Sequence, residues 1–345
     1  MGNPRARITQ LDGLRAIAII AVLLHHFYQV KLLWMGVDLF FVLSGFLITG
    51  ILFNQKRKGF GRYIGGFYSR RAKRILPAYV IVLIISGFLF GFGFLRYWYL
   101  YIGGMNFLIL LGVHPLDTLP LWSLAVEEQF YLLWPIAVYF LNRKQLIWCA
   151  IGLIALAPIL RFLCTPLFPW HWEIYMLLPF RMDTLAAGAL IALLWPELQE
   201  RLDGNPGKEL RSQIAIACLA VGVCSLAFLV YLSKHGTSTI SNSRLGNTGI
   251  YEAVLFIVTG VFLVVLLGFG KRLLSTWPFM WIGRISYSIY LFHLTAVYLV
   301  LRHGLLAVTA LTFAYSLAMW FLVENPINAM GHVRPKVLVT EPETT

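Results

Sequence analysis

The sequence predicts an all-α fold: a polytopic membrane bundle of ten transmembrane helices with one re-entrant or interfacial segment and both termini cytoplasmic. Three observations carry this. Hydrophobic residues make up 59% of the 345 and charged residues only 12%, about half the charged share of a soluble domain. Aromatic residues are abundant, with 25 Phe, 16 Tyr and 11 Trp. Apolar runs close to the roughly 20 residues needed to cross hydrocarbon recur from end to end. The same figures exclude a cytosolic enzyme, a nucleic-acid module, a disordered chain and a secreted disulfide scaffold. The net charge of +13 sits mainly in short stretches between apolar runs, so it reports topology before any partner.

Eleven apolar segments can be drawn, at roughly 14–34, 36–53, 75–94, 97–112, 121–141, 145–163, 174–195, 212–232, 250–269, 284–301 and 305–323. The segment 97–112 is short and interrupted by Gly103, Gly104 and Asn106. Irregular backbone at membrane depth is tolerated where protein buries it or it lines a wet cavity, so this insert is expected to line the external side of one. With the insert not crossing, nineteen basic residues fall on the cytoplasmic side and six outside, namely Lys31, Arg96, Arg161, Lys234, Arg244 and Arg302. With it crossing, Arg143, Lys144, Lys271 and Arg272 all move outside and the bias weakens. The count therefore favours ten spans, with the hydrophilic connections 54–74 and 196–211 facing the cytoplasm. The first apolar run lacks a small-residue cleavage pattern and is expected to be retained as a helix. Residues 1–330 form a single membrane domain and 331–345 a loose cytoplasmic tail. The four cysteines (Cys149, Cys164, Cys218, Cys224) read as packing residues, and no metal-ligand cluster is visible.

Ionisable groups inside lipid are costly and mark function by default. In the first helix Asp12 and Arg15 stand three apart at the cytoplasmic mouth, and His26 follows Arg15 by eleven residues. Three turns on one face put His26 about 16 Å deeper than Arg15, near the midplane. His25 points about 100° away. The fifth segment carries Ser123, Glu127, Glu128 and Tyr131, with Glu127 sharing a face with Ser123 and Tyr131. One of its carboxylates can pair with a buried arginine such as Arg181. Arg181 and Asp183 lie within 174–195, and His293 stands nine residues beyond Arg284, about 13 Å into its helix. A polar cavity from the cytoplasm to the midplane, lined by Asp38, Ser123, Glu128, Tyr131, Arg181, Asp183, His293 and Glu324, accounts for these charges. The competing reading is a set of separate ion pairs that only fix the bundle. The cluster Arg70, Arg71, Lys73, Arg74 anchors the cytoplasmic face, and Arg71 and Arg74, three apart, can also form a fork for phosphate oxygens.

Several motifs occur in a fixed order. They are Leu-Asp-Gly-Leu-Arg-Ala-Ile-Ala (11–18) followed by His26, and Gly-Val-Asp-Leu-Phe-Phe-Val-Leu-Ser-Gly-Phe-Leu-Ile-Thr (36–49). Next come Phe-Tyr-Ser-Arg-Arg-Ala-Lys-Arg-Ile-Leu-Pro-Ala-Tyr (67–79) and Trp-Ser-Leu-Ala-Val-Glu-Glu-Gln-Phe-Tyr (122–131). Ile-Ser-Tyr-Ser-Ile-Tyr-Leu-Phe-His (285–293) and Glu-Asn-Pro (324–326) complete the set. On these motifs the chain, from about Ile8 to Pro326, resembles acyltransferase family 3, the integral-membrane O-acyltransferases that modify carbohydrates.

The resemblance implies ten helices with cytoplasmic termini and an acyl-CoA donor, usually acetyl-CoA, supplied from the cytoplasm. It makes the residues matching Arg15 and His26 essential, ties Arg71 and Arg74 to the donor, and identifies Glu127 as the family's characteristic glutamate. Many members carry a periplasmic esterase-like domain after the last helix, so their acceptor preference is not carried over to this sequence.

The expected activity is therefore transfer of an acyl group from cytoplasmic acyl-CoA to a hydroxyl of a carbohydrate or glycolipid, in the cytoplasmic (inner) membrane of a bacterium and without a metal. His26 is the expected general base, or alternatively a transient acyl carrier. Glu127 is expected to orient it, and Arg15 to bind donor phosphate or hold Asp12. The alternative activity is that of a transporter or flippase with a midplane polar path.

Overall fold

A computed structural model describes residues 9–56, 59–113, 120–168, 170–234 and 243–327. The basic N-terminus up to residue 8, Arg57, Lys58 and the expected tail 331–345 lie outside the described residues. Among the described residues all regular structure is helical. The elements are α1 (Thr9–Tyr28), α2 (Gly36–Gln55), α3 (Phe60–Phe90), α4 (Leu121–Phe140), α5 (Arg143–Cys164), α6 (Trp172–Met176), α7 (Met182–Arg201), α8 (Gly204–Lys234), α9 (Arg244–Leu266), α10 (Lys271–Leu274), α11 (Trp277–Val300) and α12 (Leu305–Met319).

Eight stretches are long and apolar enough to cross a membrane: α1, α2, α3, α5, α8, α9, α11 and α12 with their short extensions. The helices α4 and α7 are 20 residues each. Glu127, Glu128 and Gln129 in α4, and Asp183 and Glu197 to Arg201 in α7, lower their apolarity below that of the others. The interrupted segment is no straight span: two 3-10 helices, Gly93–Tyr101 and Met105–Leu111, meet at 120°. Its polar residues are fastened to α4. The Gln129 amide donates to the Gly103 carbonyl at 3.0 Å and to Asn106 Oδ1 at 2.8 Å, and Asn106 donates to the Met176 carbonyl at 3.1 Å. These bonds satisfy backbone and side-chain groups that lipid could not.

Two close crossings organise the core. A Cβ added at Gly45 would sit 1.9 Å from the Leu185 carbonyl oxygen, and one at Gly188 2.0 Å from that of Val42, so α2 and α7 meet backbone to backbone. In the same way Gly283 of α11 lies against the Asp12 carbonyl of α1, where a Cβ would come within 1.9 Å. Lipid supplies no hydrophobic drive between helices, so small residues that permit close approach do the joining. Around these pairs α8 and α12 lie mostly exposed, as lipid-facing helices should.

Four boundaries differ from the sequence-based expectation. The first helix covers Thr9–Tyr28 rather than 14–34, which puts His26 in its last turn instead of at mid-length. The connection 54–74 is helical from Phe60 onward, so α3 extends four turns before the apolar run begins. The connection 196–211 is likewise helical but for a break between Arg201 and Gly204. The segment 174–195 breaks into α6, a 3-10 turn at Leu178–Phe180 and α7, with Arg181 at the junction at φ −128° and ψ −1°. Hydropathy sees apolar length, and amphipathic helix that continues past it or breaks inside it escapes that measure.

Candidate active site

At one end of the bundle three arginines from two helices converge. Arg15 of α1 and Arg71 and Arg74 of α3 lie close enough for their charges to act on one another. Arg15 is held by Asp12, one turn earlier on α1, with Nη1 to Oδ1 at 3.6 Å. The Arg71 guanidinium sits over the Tyr131 ring, 4.4 Å from its centroid, a cation–π arrangement. Arg74 is exposed. Among the described residues neither Arg71 nor Arg74 forms an ion pair within 4 Å, so both keep donors free for an anion. Their neighbour Arg70 is engaged elsewhere, donating to Gln55 at 2.7 Å.

Glu127 of α4 lies just inside this group. Its Oε1 accepts from Ser44 of α2 and its Oε2 from the Tyr131 hydroxyl, both at 2.8 Å. Glu127 thereby fixes the aromatic ring on which Arg71 rests. The expectation that Glu127 orients His26 is not what the geometry shows: the partners of Glu127 are the hydroxyls of Ser44 and Tyr131, and the rings beside His26 are those of His25 and His293. Nor does Glu127 pair with Arg181. Ser123 shares the helix with Glu127 yet bonds to the Tyr290 hydroxyl of α11 at 2.5 Å. Glu324 closes a π-helical turn, Trp320–Glu324, accepts from Ser288 of α11, and exerts its charge on Arg74. Such turns recur at functional sites.

Toward the far end of α1 two imidazoles face each other. His26 is half-buried, and its ring centroid lies 5.0 Å from that of His293 on α11 and 4.9 Å from that of His25. His25 bonds to the Val30 carbonyl at 3.2 Å, which separates its role from that of His26 as the 100° offset implies. Arg15 and His26 are eleven residues apart on one helix, about 16 Å along the axis. A polar column thus runs from the arginines through Tyr131, Glu127, Ser44, Tyr290 and Ser123 to the histidines.

Beside the column a cavity of about 520 Å³ opens between α3, the bent 3-10 pair and α4. Arg71, Glu128 and Tyr131 line it together with Leu76, Val80, Trp98 and Ile102. The insert lines a cavity as expected, but the walls are chiefly apolar. The single polar cavity expected from the sequence is divided. Asp38, Arg181 and Asp183 belong to a separate buried network: Arg181 pairs with Asp38 at 2.5 Å, and Arg161 pairs with Asp183 at 2.7 Å and with Glu252. These side chains pair with one another across α2, α5, α7 and α9, and both arginines lie over the Tyr251 ring. Arg161, counted from the sequence as an external loop charge, is fully buried in α5.

Sequence reasoning missed Ser44, Tyr290 and Glu252 as partners. Tyr290 precedes His293 by three residues and shares its face, a signal that was available. Ser44 and Glu252 become partners only through helix crossings. Among the described residues no cluster of metal-ligating side chains occurs.

The comparisons with known proteins follow the same residues. The acyltransferase domain family matches residues 8–324. The peptidoglycan O-acetyltransferase OatA of Listeria monocytogenes is 29% identical over 363 residues, covering 95% of this chain and 57% of the relative. The O-acetyltransferase OatA of Staphylococcus aureus is 27% identical over 323 residues, covering 85% and 51% respectively. The chain spans about half the length of the curated relatives it matches. No solved structure matches. With the family's match running from before α1 to the π-helical turn that ends in Glu324, this chain is an integral-membrane member of the acyltransferase domain family.

Proposed function

We propose that the chain is a membrane O-acetyltransferase that moves an acetyl group from cytoplasmic acetyl-CoA to a hydroxyl of a cell-wall carbohydrate. The observation that carries this reading is the pairing of two sites along α1. Guanidinium groups without carboxylate partners on Arg71 and Arg74 stand beside Arg15 at one end, and a half-buried imidazole on His26 stands about 16 Å along the same helix. The first suits a multiply phosphorylated donor, the second a proton transfer. The carbohydrate acceptor is supported by the peptidoglycan named for the Listeria relative. The transporter reading finds no support in the family match.

On this reading CoA phosphates rest on Arg71, Arg74 and Arg15, with Asp12 orienting Arg15 and Glu127 holding Tyr131 beneath Arg71. The pantetheine arm extends along the column and brings the thioester to His26. His26 removes the proton from the acceptor hydroxyl as its oxygen attacks the thioester carbonyl. The C–S bond breaks, the sulfur takes the proton from His26, and an O-acetyl ester and free CoA result. We further propose that α4 and α7 cross with the eight apolar stretches, giving ten spans with both termini in the cytoplasm of a bacterial cell. The excess of Lys and Arg on that side supports this.

The test is purified protein in lipid vesicles, incubated with acetyl-labelled acetyl-CoA and soluble peptidoglycan fragments. Label is expected in alkali-labile ester on the glycan, with one CoA released per ester. Label that stays on CoA, while unmodified glycan or lipid crosses the vesicle wall, overturns the assignment.

A further inference from the structure

His293 carries a feature that the proposed reaction does not use. It is fully buried on α11, and its Nδ1 lies 2.7 Å from the Tyr290 carbonyl oxygen. A carbonyl can only accept, so Nδ1 bears the proton, and in the neutral ring Nε2 is left as an acceptor. Nε2 is buried and has no hydrogen-bond partner among the described residues. A buried acceptor left without a donor is costly and calls for a use. Because Nδ1 is tied to its own helix, Nε2 sits on the side of the ring away from that backbone. The ring of His26 stands 5.0 Å away, centroid to centroid and tilted by 46°. The titratable groups acting on His26 are His293 from α11 and His25 from its own helix.

We propose that His293 is the positioning residue for His26, its Nε2 accepting a hydrogen bond from the His26 imidazolium formed during proton transfer. The proposal rests on the reading of His26 as general base. When one nitrogen of His26 has taken the proton of the acceptor hydroxyl, the opposite nitrogen is an N–H donor that needs an acceptor. At 5.0 Å between centroids, with each ring nitrogen displaced about 1 Å from its centroid, a small rotation of the half-buried His26 ring closes the bond. Catalytic hydrogen bonds are commonly long before substrate binds and tighten in the reacting complex. His293 then does for His26 what a carboxylate does in a catalytic triad, using a neutral acceptor that needs no buried negative charge. The Tyr290 carbonyl selects the tautomer that makes this possible.

The experiment compares His293→Gln, His293→Phe and His26→Ala in purified full-length protein in lipid, using acetyl-CoA and soluble peptidoglycan fragments. Phe keeps a buried ring but has no acceptor, whereas Gln keeps an acceptor oxygen. The expected result is a kcat at least tenfold lower for His293→Phe, with KM for acetyl-CoA within about twofold of the parent and the melting temperature retained. His293→Gln is expected to recover a substantial part of that kcat. Equal activity in His293→Phe and parent, or His293→Gln as slow as His293→Phe, overturns the positioning role. His26→Ala separates the two claims. If His26→Ala is inactive while both His293 variants match the parent, only the positioning role fails; if His26→Ala retains parental activity, the base assignment falls and the positioning role with it.

Discussion

The molecule gathers two sets of charges and treats them in different ways. In the network of α2, α5, α7 and α9, Arg181 and Arg161 are matched by Asp38, Asp183 and Glu252 and enclosed by Trp34, Tyr175 and Tyr251. In the column of α1, α3, α4 and α11, Arg71 rests on an aromatic face, Arg74 is exposed, and Nε2 of His293 has no hydrogen-bond partner among the described residues. The first set also leaves Asp38 Oδ2, Arg161 Nε and Arg181 Nε without hydrogen-bond partners, so what separates the regions is the ion pairs: each arginine of the network has a carboxylate within 4 Å, and Arg71 and Arg74 have none among the described residues. An intramembrane ionisable residue is therefore informative only together with what it touches.

The sharpest break between the two regions should come from deleting one group in each. His26→Ala is expected to lower acyl transfer roughly 10²- to 10⁴-fold, with unchanged melting in detergent and normal membrane insertion. Asp38→Ala should do the reverse. Removing it leaves the Arg181 guanidinium buried without its carboxylate, which costs about 3–5 kcal/mol. Thermal unfolding and membrane abundance measure that loss, and an Asp38→Ala protein as stable as the parent would contradict the division drawn here.

A second, smaller effect concerns the donor end. Replacing Arg71 and Arg74 together by Gln should weaken acetyl-CoA binding by about 10- to 100-fold: one hydrogen bond to a charged group contributes about 1.5–3 kcal/mol, and solvent screens most of the second because Arg74 is exposed. Isothermal titration with CoA reads this directly, and unchanged affinity would return the pair to membrane anchoring. Smaller again is Ser44→Ala, which removes one of the two hydroxyls on Glu127. An activity loss of roughly tenfold or less is expected, appearing in KM for acetyl-CoA because Glu127 acts through Tyr131 and Arg71. If the loss appeared in kcat alone, Glu127 would belong with the histidines.

Much of this was legible in the residues themselves. Apolar length located the membrane helices, and the Gly103, Gly104 and Asn106 interruption marked the segment that bends by 120°. The motif order pointed to Arg15, Arg71 and Arg74, which the fold brings to one end of the bundle. Periodicity along a single helix could not reveal which neighbour a side chain meets. Glu127 shares a face with Ser123, yet Ser123 turns to Tyr290 while Ser44, from another helix, binds Glu127. The charge count misread Arg161 because a basic residue near the end of an apolar run has the same signature whether it meets water or the buried carboxylates of Asp183 and Glu252. His26 falls in the last turn because α1 ends at Tyr28, although the apolar residues Val30, Leu32, Leu33 and Trp34 continue the hydropathy signal beyond it.

The glycine seams also bear on how the protein can move. With Gly45 and Gly188 each pressed to an opposing carbonyl, and Gly283 seated on Asp12, the helices α1, α2, α7 and α11 interlock like keyed timbers with a single seating. Swivelling either joint would drive backbone into backbone. Relative movement then falls to the helices outside these seams, and α8, which buries the least of its length, is the freest to shift against a frame that stays put.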